Sequence, residues 1–234
     1  MEKHKQLECY LTDNPEQVGK VVYFDPKRHR LLRFDFTDAN TELTPEIVSA
    51  TGKFSDWIFS KLKRHKCKYG IGGYFENRTL YARSALFNTT DEPRSLHLGV
   101  DIWGDAGTMV YAPMDGIVHS FKNNDNFGDY GFTIILQHNL NGLQLFSLYG
   151  HMNGESHLGL YEGLAIAKGE ALGEIGATED NGNWPPHLHF QLMFDMQGLK
   201  GDYPGTGRLA EREAYQHNIA NPNLILKFPE SHII

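Results

Sequence analysis

Apolar positions along this chain follow two rhythms. Lys20 to Phe24 and Arg30 to Phe36 are short apolar-rich runs around the turn-like Asp25-Pro26-Lys27, a pattern that predicts two strands. Thr44 followed by Pro45 predicts a helix start, with a capping side chain and proline at the first helical position. Phe54, Trp57, Ile58 and Leu62 then recur at helical spacing, so a helix over Phe54 to Lys63 has one apolar face. Gly70-Ile71-Gly72-Gly73 predicts a turn, and with no Gly-Lys-Ser/Thr after it a phosphate loop is disfavoured. From Arg94 onward the rhythm shortens. Thr108–Tyr111, Gly116–Phe121, Thr133–Gln137, Leu143–Tyr149, Ala171–Ile175 and Leu188–Met193 read as strands. Asn123 to Asn126 and Asp180 to Asn183 read as exposed turns, and Glu211 to Gln216 as one short helix.

Closely spaced strands without intervening helices predict a mainly β domain built on an antiparallel sheet, with some helix. The expected organisation is an amino-terminal accessory lobe over residues 1–70, α+β in character, packed on a sheet domain over residues 71–234. A chain of 234 residues is long enough for one good core with a modest extra lobe. The net charge of -7 excludes broad nucleic-acid binding, which needs a basic face. The one basic cluster, Lys61 to Lys68, fits the carboxyl end of a helix, where the helix dipole favours cations. Cys9 and Cys67 cannot make a disulfide framework and fit a reducing compartment. The opening residues carry charge with no apolar stretch behind them, and no run is long enough for a membrane span. These features set the expectation of a cytoplasmic protein.

Three histidine patterns carry the candidate chemistry: His97-Leu98-Gly99-Val100-Asp101, then Tyr149-Gly150-His151, then His187-Leu188-His189. In a strand, residues two and four apart share a face, so His187 points with His189, and His97 with Asp101 if that segment is extended. Together they supply imidazoles and a carboxylate for a divalent metal with an open position, plus imidazoles to spare for proton transfer. Spacing alone permits both His187 and His189 to bind the metal. The glutamate base of His-Glu-x-x-His metallopeptidases is missing, which leaves histidine to move protons near neutral pH.

The order, spacing and flanking words of these motifs, over roughly residues 70–195, resemble the lysostaphin-type (LytM-like) zinc metallopeptidases, metallopeptidase family twenty-three. That resemblance implies a lysostaphin-like, duplicated hybrid sheet domain. It also implies Zn2+ held by His97, Asp101 and His189, with His151 and His187 serving catalysis. It further implies peptide substrates, glycine-containing or derived from bacterial cell wall. Tyr74, Arg78 and Tyr81 fall where relatives place a loop bordering the groove, and Trp184 could wall it. His138 reads as structural. Three other functions compete. Ala112-Pro113-Met114-Asp115-Gly116 also resembles sugar-transport phosphocarriers of related sheet architecture, which accept phosphate on histidine and need no Asp101. A silent binding module would keep the fold but usually lose ligands, and a zinc hydrolase could act on a non-peptide substrate.

Overall fold

Residues 2–78 and 93–234 are described here, from a computed structural model. The chain opens with a helix that the apolar pattern did not announce, α1 (Glu2–Asp13), because only Leu7 and Leu11 of its face are buried. Thr44 caps α2 (Pro45–Ser49), its side chain accepting from the Ile47 N–H. The long amphipathic helix α3 (Thr51–His65) buries Phe54, Ile58 and Leu62. Its last turn holds Lys63, Arg64 and His65, and Lys66 closes it in the left-handed conformation. Downstream, α4 (Arg212–Asn218) and α5 (Asn223–Leu226) complete the longer helices.

The strands are β1 (Leu31–Arg33), β2 (Tyr69–Gly72), β3 (Leu96–His97), β4 (Val100–Trp103), β5 (Met109–Tyr111) and β6 (Gly116–Asn124). They continue with β7 (Gly131–Leu140), β8 (Leu143–Met152), β9 (Ala165–Ile166), β10 (Ala171–Glu174), β11 (His187–Met193), β12 (Thr206–Gly207) and β13 (Ile219–Ala220). Among the described residues the main sheet runs β1-β2-β4-β11-β8-β7-β6-β9, with β13 also on β11. Every pairing in it is antiparallel except the parallel β1–β2 pair. Two small ladders, β10–β5 and β12–β3, flank it. The molecule is therefore mainly β with helices at its periphery, the class the strand spacing predicts.

Three local expectations change. Lys20 to Phe24 forms no strand, only the single bridge Val22–Val110; Val21, Val22 and Phe24 are buried without a ladder. The Asp180–Asn183 turn is not wholly exposed, because Asn181 and Gly182 are buried beneath the groove. Gly70 to Gly72 are strand rather than turn. A Cβ added to Gly70 would stand 2.1 Å from the Phe34 ring, so the glycine lets an aromatic side chain lie across β2. Gly70→Ala is expected to cost about 1–3 kcal/mol of stability through this overpacking. Chemical denaturation is the check, and an unchanged midpoint would show that Phe34 swings aside freely.

The first 70 residues share in burying the sheet. Leu7, Leu11, Val22, Phe24 and Leu31 join Ile134, Leu188 and Phe190 in one apolar cluster. A second cluster joins Phe34, Phe36, Phe54, Ile58 and Leu62 to Trp103 and Trp184. Those two tryptophans line a groove of about 390 Å³ on the other side. Helix α3 thus backs one wall of the groove.

Candidate metal centre

Antiparallel pairing of β4 with β11 places His189 opposite Asp101 and His187 opposite Trp103. Along β11, Leu188, Phe190 and Leu192 enter the main apolar cluster. The alternation leaves His187, His189 and Gln191 for the opposite face. His97 is not on the same strand as Asp101. A break at Leu98-Gly99 separates β3 from β4, and the two strands pair with different partners. The glycine is required by contact: a Cβ at Gly99 would stand 2.5 Å from His189 Nε2.

Three polar atoms converge there. His97 Nε2 lies 3.2 Å and His189 Nδ1 3.1 Å from Asp101 Oδ1, and the two nitrogens are 3.0 Å apart. Tetrahedral zinc with ligands at about 2.1 Å needs donors roughly 3.4 Å apart, so the cluster fits the ion with little movement. The outer nitrogens are fixed as well. His97 Nδ1 donates to the Gly73 carbonyl at 2.8 Å, and His189 Nε2 to Gln191 Oε1 at 2.9 Å. Gln191 is oriented in turn by its own donation to the Pro204 carbonyl. A nitrogen facing a carbonyl must carry the proton, so the lone pairs of His97 Nε2 and His189 Nδ1 point inward. Buried donors with lone pairs turned to one point are what a divalent ion requires.

His151 and His187 stand beside this cluster, their rings 4.1 Å apart. His187 Nε2 is 3.9 Å from Asp101 Oδ1, farther than either imidazole of the triad. Its Nδ1 donates to the Pro185 carbonyl at 2.8 Å and its ring stacks on Trp103 at 4.0 Å. His151, one residue before the end of β8, is in the left-handed conformation, φ 63°, held by backbone bonds to Tyr130 and Gly176. Its Nδ1 donates to the buried Asn181 carbonyl at 2.9 Å. Both rings line the groove, and each keeps an unprotonated Nε2.

Electrostatics agree with these proton placements. Burial, reinforced by the nearby Arg78 charge, lowers His97 to about 4. Burial lowers His187 to about 4 despite Asp101, and burial with its two histidine neighbours holds His151 well below the usual histidine range. Burial opposes ionisation of Asp101, but His97 and Arg78 outweigh it and keep the carboxyl well below the usual carboxylate range. At neutral pH Asp101 is a carboxylate beside the neutral imidazole of His97, the form that binds a cation.

Of the weaker candidates, Trp184 does wall the groove. Tyr74 instead donates to the Ile219 carbonyl and packs in a third apolar cluster. Tyr81 lies outside the described residues. His138 is buried in β7, bonded to the Asp115 carbonyl and Ser147 Oγ, a structural place. The structure adds Tyr130, whose hydroxyl is 3.4 Å from His189 Nε2, and Gln191. Gln191 sits two residues past His189 in a strand, so its shared face was readable. Tyr130 comes from a loop and carries no such signal.

Residues 95–200 match peptidase family M23. The match encloses both motifs of the triad, His151 and His187. Over 123 residues the chain is 27% identical to the peptidoglycan DD-endopeptidase ShyA of Vibrio cholerae, spanning 51% of this chain and 26% of that one. Over 129 residues it is 25% identical to an L-Ala--D-Glu endopeptidase of Bacillus subtilis, spanning 53% and 37%. The chain thus spans only about a quarter to somewhat over a third of the curated relatives it matches. Among solved structures, the catalytic domain of the antimicrobial peptidase lysostaphin from Staphylococcus simulans is similar at 20% identity and a TM-score of 0.43, covering 74% of this chain and 98% of that one. Among the described residues no helix is long and apolar enough to cross a membrane.

Proposed function

We propose that this M23 domain is a zinc-dependent endopeptidase acting on peptides of the bacterial wall type, including glycine-containing ones. The observation that carries the reading is the convergence of His97 Nε2, Asp101 Oδ1 and His189 Nδ1 within 3.2 Å of one another, inside the M23 match. Zinc bound by these three supplies Lewis-acid chemistry, making water more acidic and polarising the scissile carbonyl. His151 and His187 are the catalytic pair, one of them the base: each holds its Nδ1 proton on a backbone carbonyl and offers Nε2 to the groove. The imidazole that takes the proton of the attacking water becomes a donor, able to return it to the departing amine. The other would donate to the carbonyl oxygen as negative charge develops there once its own Nε2 carries a proton. Trp103, stacked on His187, keeps that ring from rotating out of line. Burying Asp101 between two imidazoles has no purpose in a phosphoryl carrier, and the hydrolytic reading is favoured over it.

The peptide specificity is inferred from the endopeptidase names of the two relatives, and the cytoplasmic location from the composition of the chain. The two together make short, already released wall fragments the expected substrates. The test is a digest of defined glycine-containing and cross-linked wall peptides, beside intact wall and a folded protein, read by mass spectrometry with and without chelator. Cleavage of the soluble peptides, abolished by chelator, is expected, with the folded protein untouched. Cleavage that survives chelation sinks the metal reading, and cleavage of intact wall alone moves the substrate and the location outward.

A further inference from the structure

Asp101 uses its two carboxylate oxygens differently. Oδ1 faces the imidazoles of His97 and His189, whereas Oδ2 accepts a hydrogen bond from Arg78 Nη1 at 2.5 Å. Arg78 is only 1% exposed. Its Nε donates to Glu76 Oε2 at 2.7 Å, and its guanidinium lies over the Phe36 ring, 4.9 Å from the centroid. Glu76 is itself tied down, its Oε1 accepting from the Phe36 N–H at 3.3 Å. The guanidinium fits because Gly72, the register partner of Asp101 on the neighbouring strand, has no side chain. A Cβ there would stand 2.5 Å from Arg78 Nη2 and 3.2 Å from the Phe36 ring. A planar fork bonded to one carboxylate at Nε and to another at Nη1, with an aromatic face against it, has little freedom to pivot.

We infer that Arg78 is a positioning residue that pins Asp101 as a one-oxygen metal ligand. A carboxylate free to rotate can offer both oxygens to a divalent ion and take up a coordination position. Bonding Oδ2 to Arg78 holds that oxygen away and leaves the position for water and substrate. Gly72, Glu76 and Phe36 form the slot that makes this bond obligatory. The inference rests on the proposed metal site at His97, Asp101 and His189, and sharpens it.

The test replaces zinc by Co2+, whose visible bands are intense in four-coordinate sites and weak when coordination rises. It also measures metal affinity by competition with a chelator. Arg78→Met should weaken the bands and lower metal affinity by about 10–100-fold, the usual effect of removing a partner of a metal ligand. Gly72→Ala keeps the arginine and its charge but fills its slot, and should move the spectrum the same way. Arg78→Lys keeps a point charge without the fork and should fail to restore the bands. If Arg78→Met does not fold, the other two variants decide. Wild-type bands in Gly72→Ala and Arg78→Lys, with affinities within about twofold of the parent, overturn the role of Arg78. A parent chain that binds neither Co2+ nor zinc overturns the metal site itself, a separate failure.

Discussion

Replacing His189 with alanine is expected to abolish metal binding while the sheet stays folded. Among the described residues the side chain supplies one of three converging donors, and no other imidazole there lies as close to Asp101 Oδ1 as His97 and His189. A divalent ion left with one imidazole and one carboxylate has too few protein donors to outcompete its hydration water. The strand survives because its other face, Leu188, Phe190 and Leu192, is fully buried in the main core and untouched by the change. The stability cost should therefore stay within the ordinary range of about 0.5–3 kcal/mol for one point substitution. Elemental analysis of the parent should give one zinc per chain, and the variant close to none, with the same far-ultraviolet circular dichroism. Full occupancy in folded His189→Ala would remove His189 from the ligand set.

The second large effect separates ligands from bases. His151→Ala and His187→Ala are each expected to retain zinc and to lose activity by roughly 10²-fold or more, the scale of lost acid–base or oxyanion help. The geometry gives the reason. Neither ring makes a hydrogen bond to the triad; each is anchored on its own backbone carbonyl, at Asn181 and Pro185. Removing either leaves the three donors and their outer partners Gly73 and Gln191 in place. The loss should appear in kcat more than in KM, because proton transfer is needed in the transition state and not for binding. Zinc loss in either variant would make that residue a ligand and reassign its role.

How much of this was legible in the sequence depends on the range of the interactions. The cap of helix α2 and the apolar face of helix α3 were readable because Thr44 with Pro45, and the Phe54–Leu62 stripe, each act over a few residues. The strands of the sheet domain were readable from alternation, although their ends were not: the strand starting at Gly116 runs on through Asn124, into the expected turn. Gly70 to Gly72 misled because the reason for glycine lies in Phe34 and Arg78, which cross the strand from elsewhere in the chain. Lys20 to Phe24 misled because apolar content announces burial, not a ladder. At the site, the five histidine and aspartate positions stood out through their motifs. What fixes them, carbonyls of Gly73, Asn181 and Pro185 and the arginine at position 78, is set by tertiary contact and left little trace in the pattern.

The insertion of β11 between β4 and β8 also bears on how the chain reaches its native state. Asp101 and His189 are 88 residues apart in sequence, and they meet only when the late strand docks between two earlier ones. Such distant pairings pay loop closure before they gain contacts, and they form slowly. The docking must also choose a register, since a shift of one residue would turn Leu188 and Phe190 toward the groove and the histidines into the core. A chain in the wrong register thus has no place for a metal. At the proposed metal site, capture would follow the seating of β11 in its native register, so the ion would proofread assembly and a misregistered chain would hold no hydrolytic power.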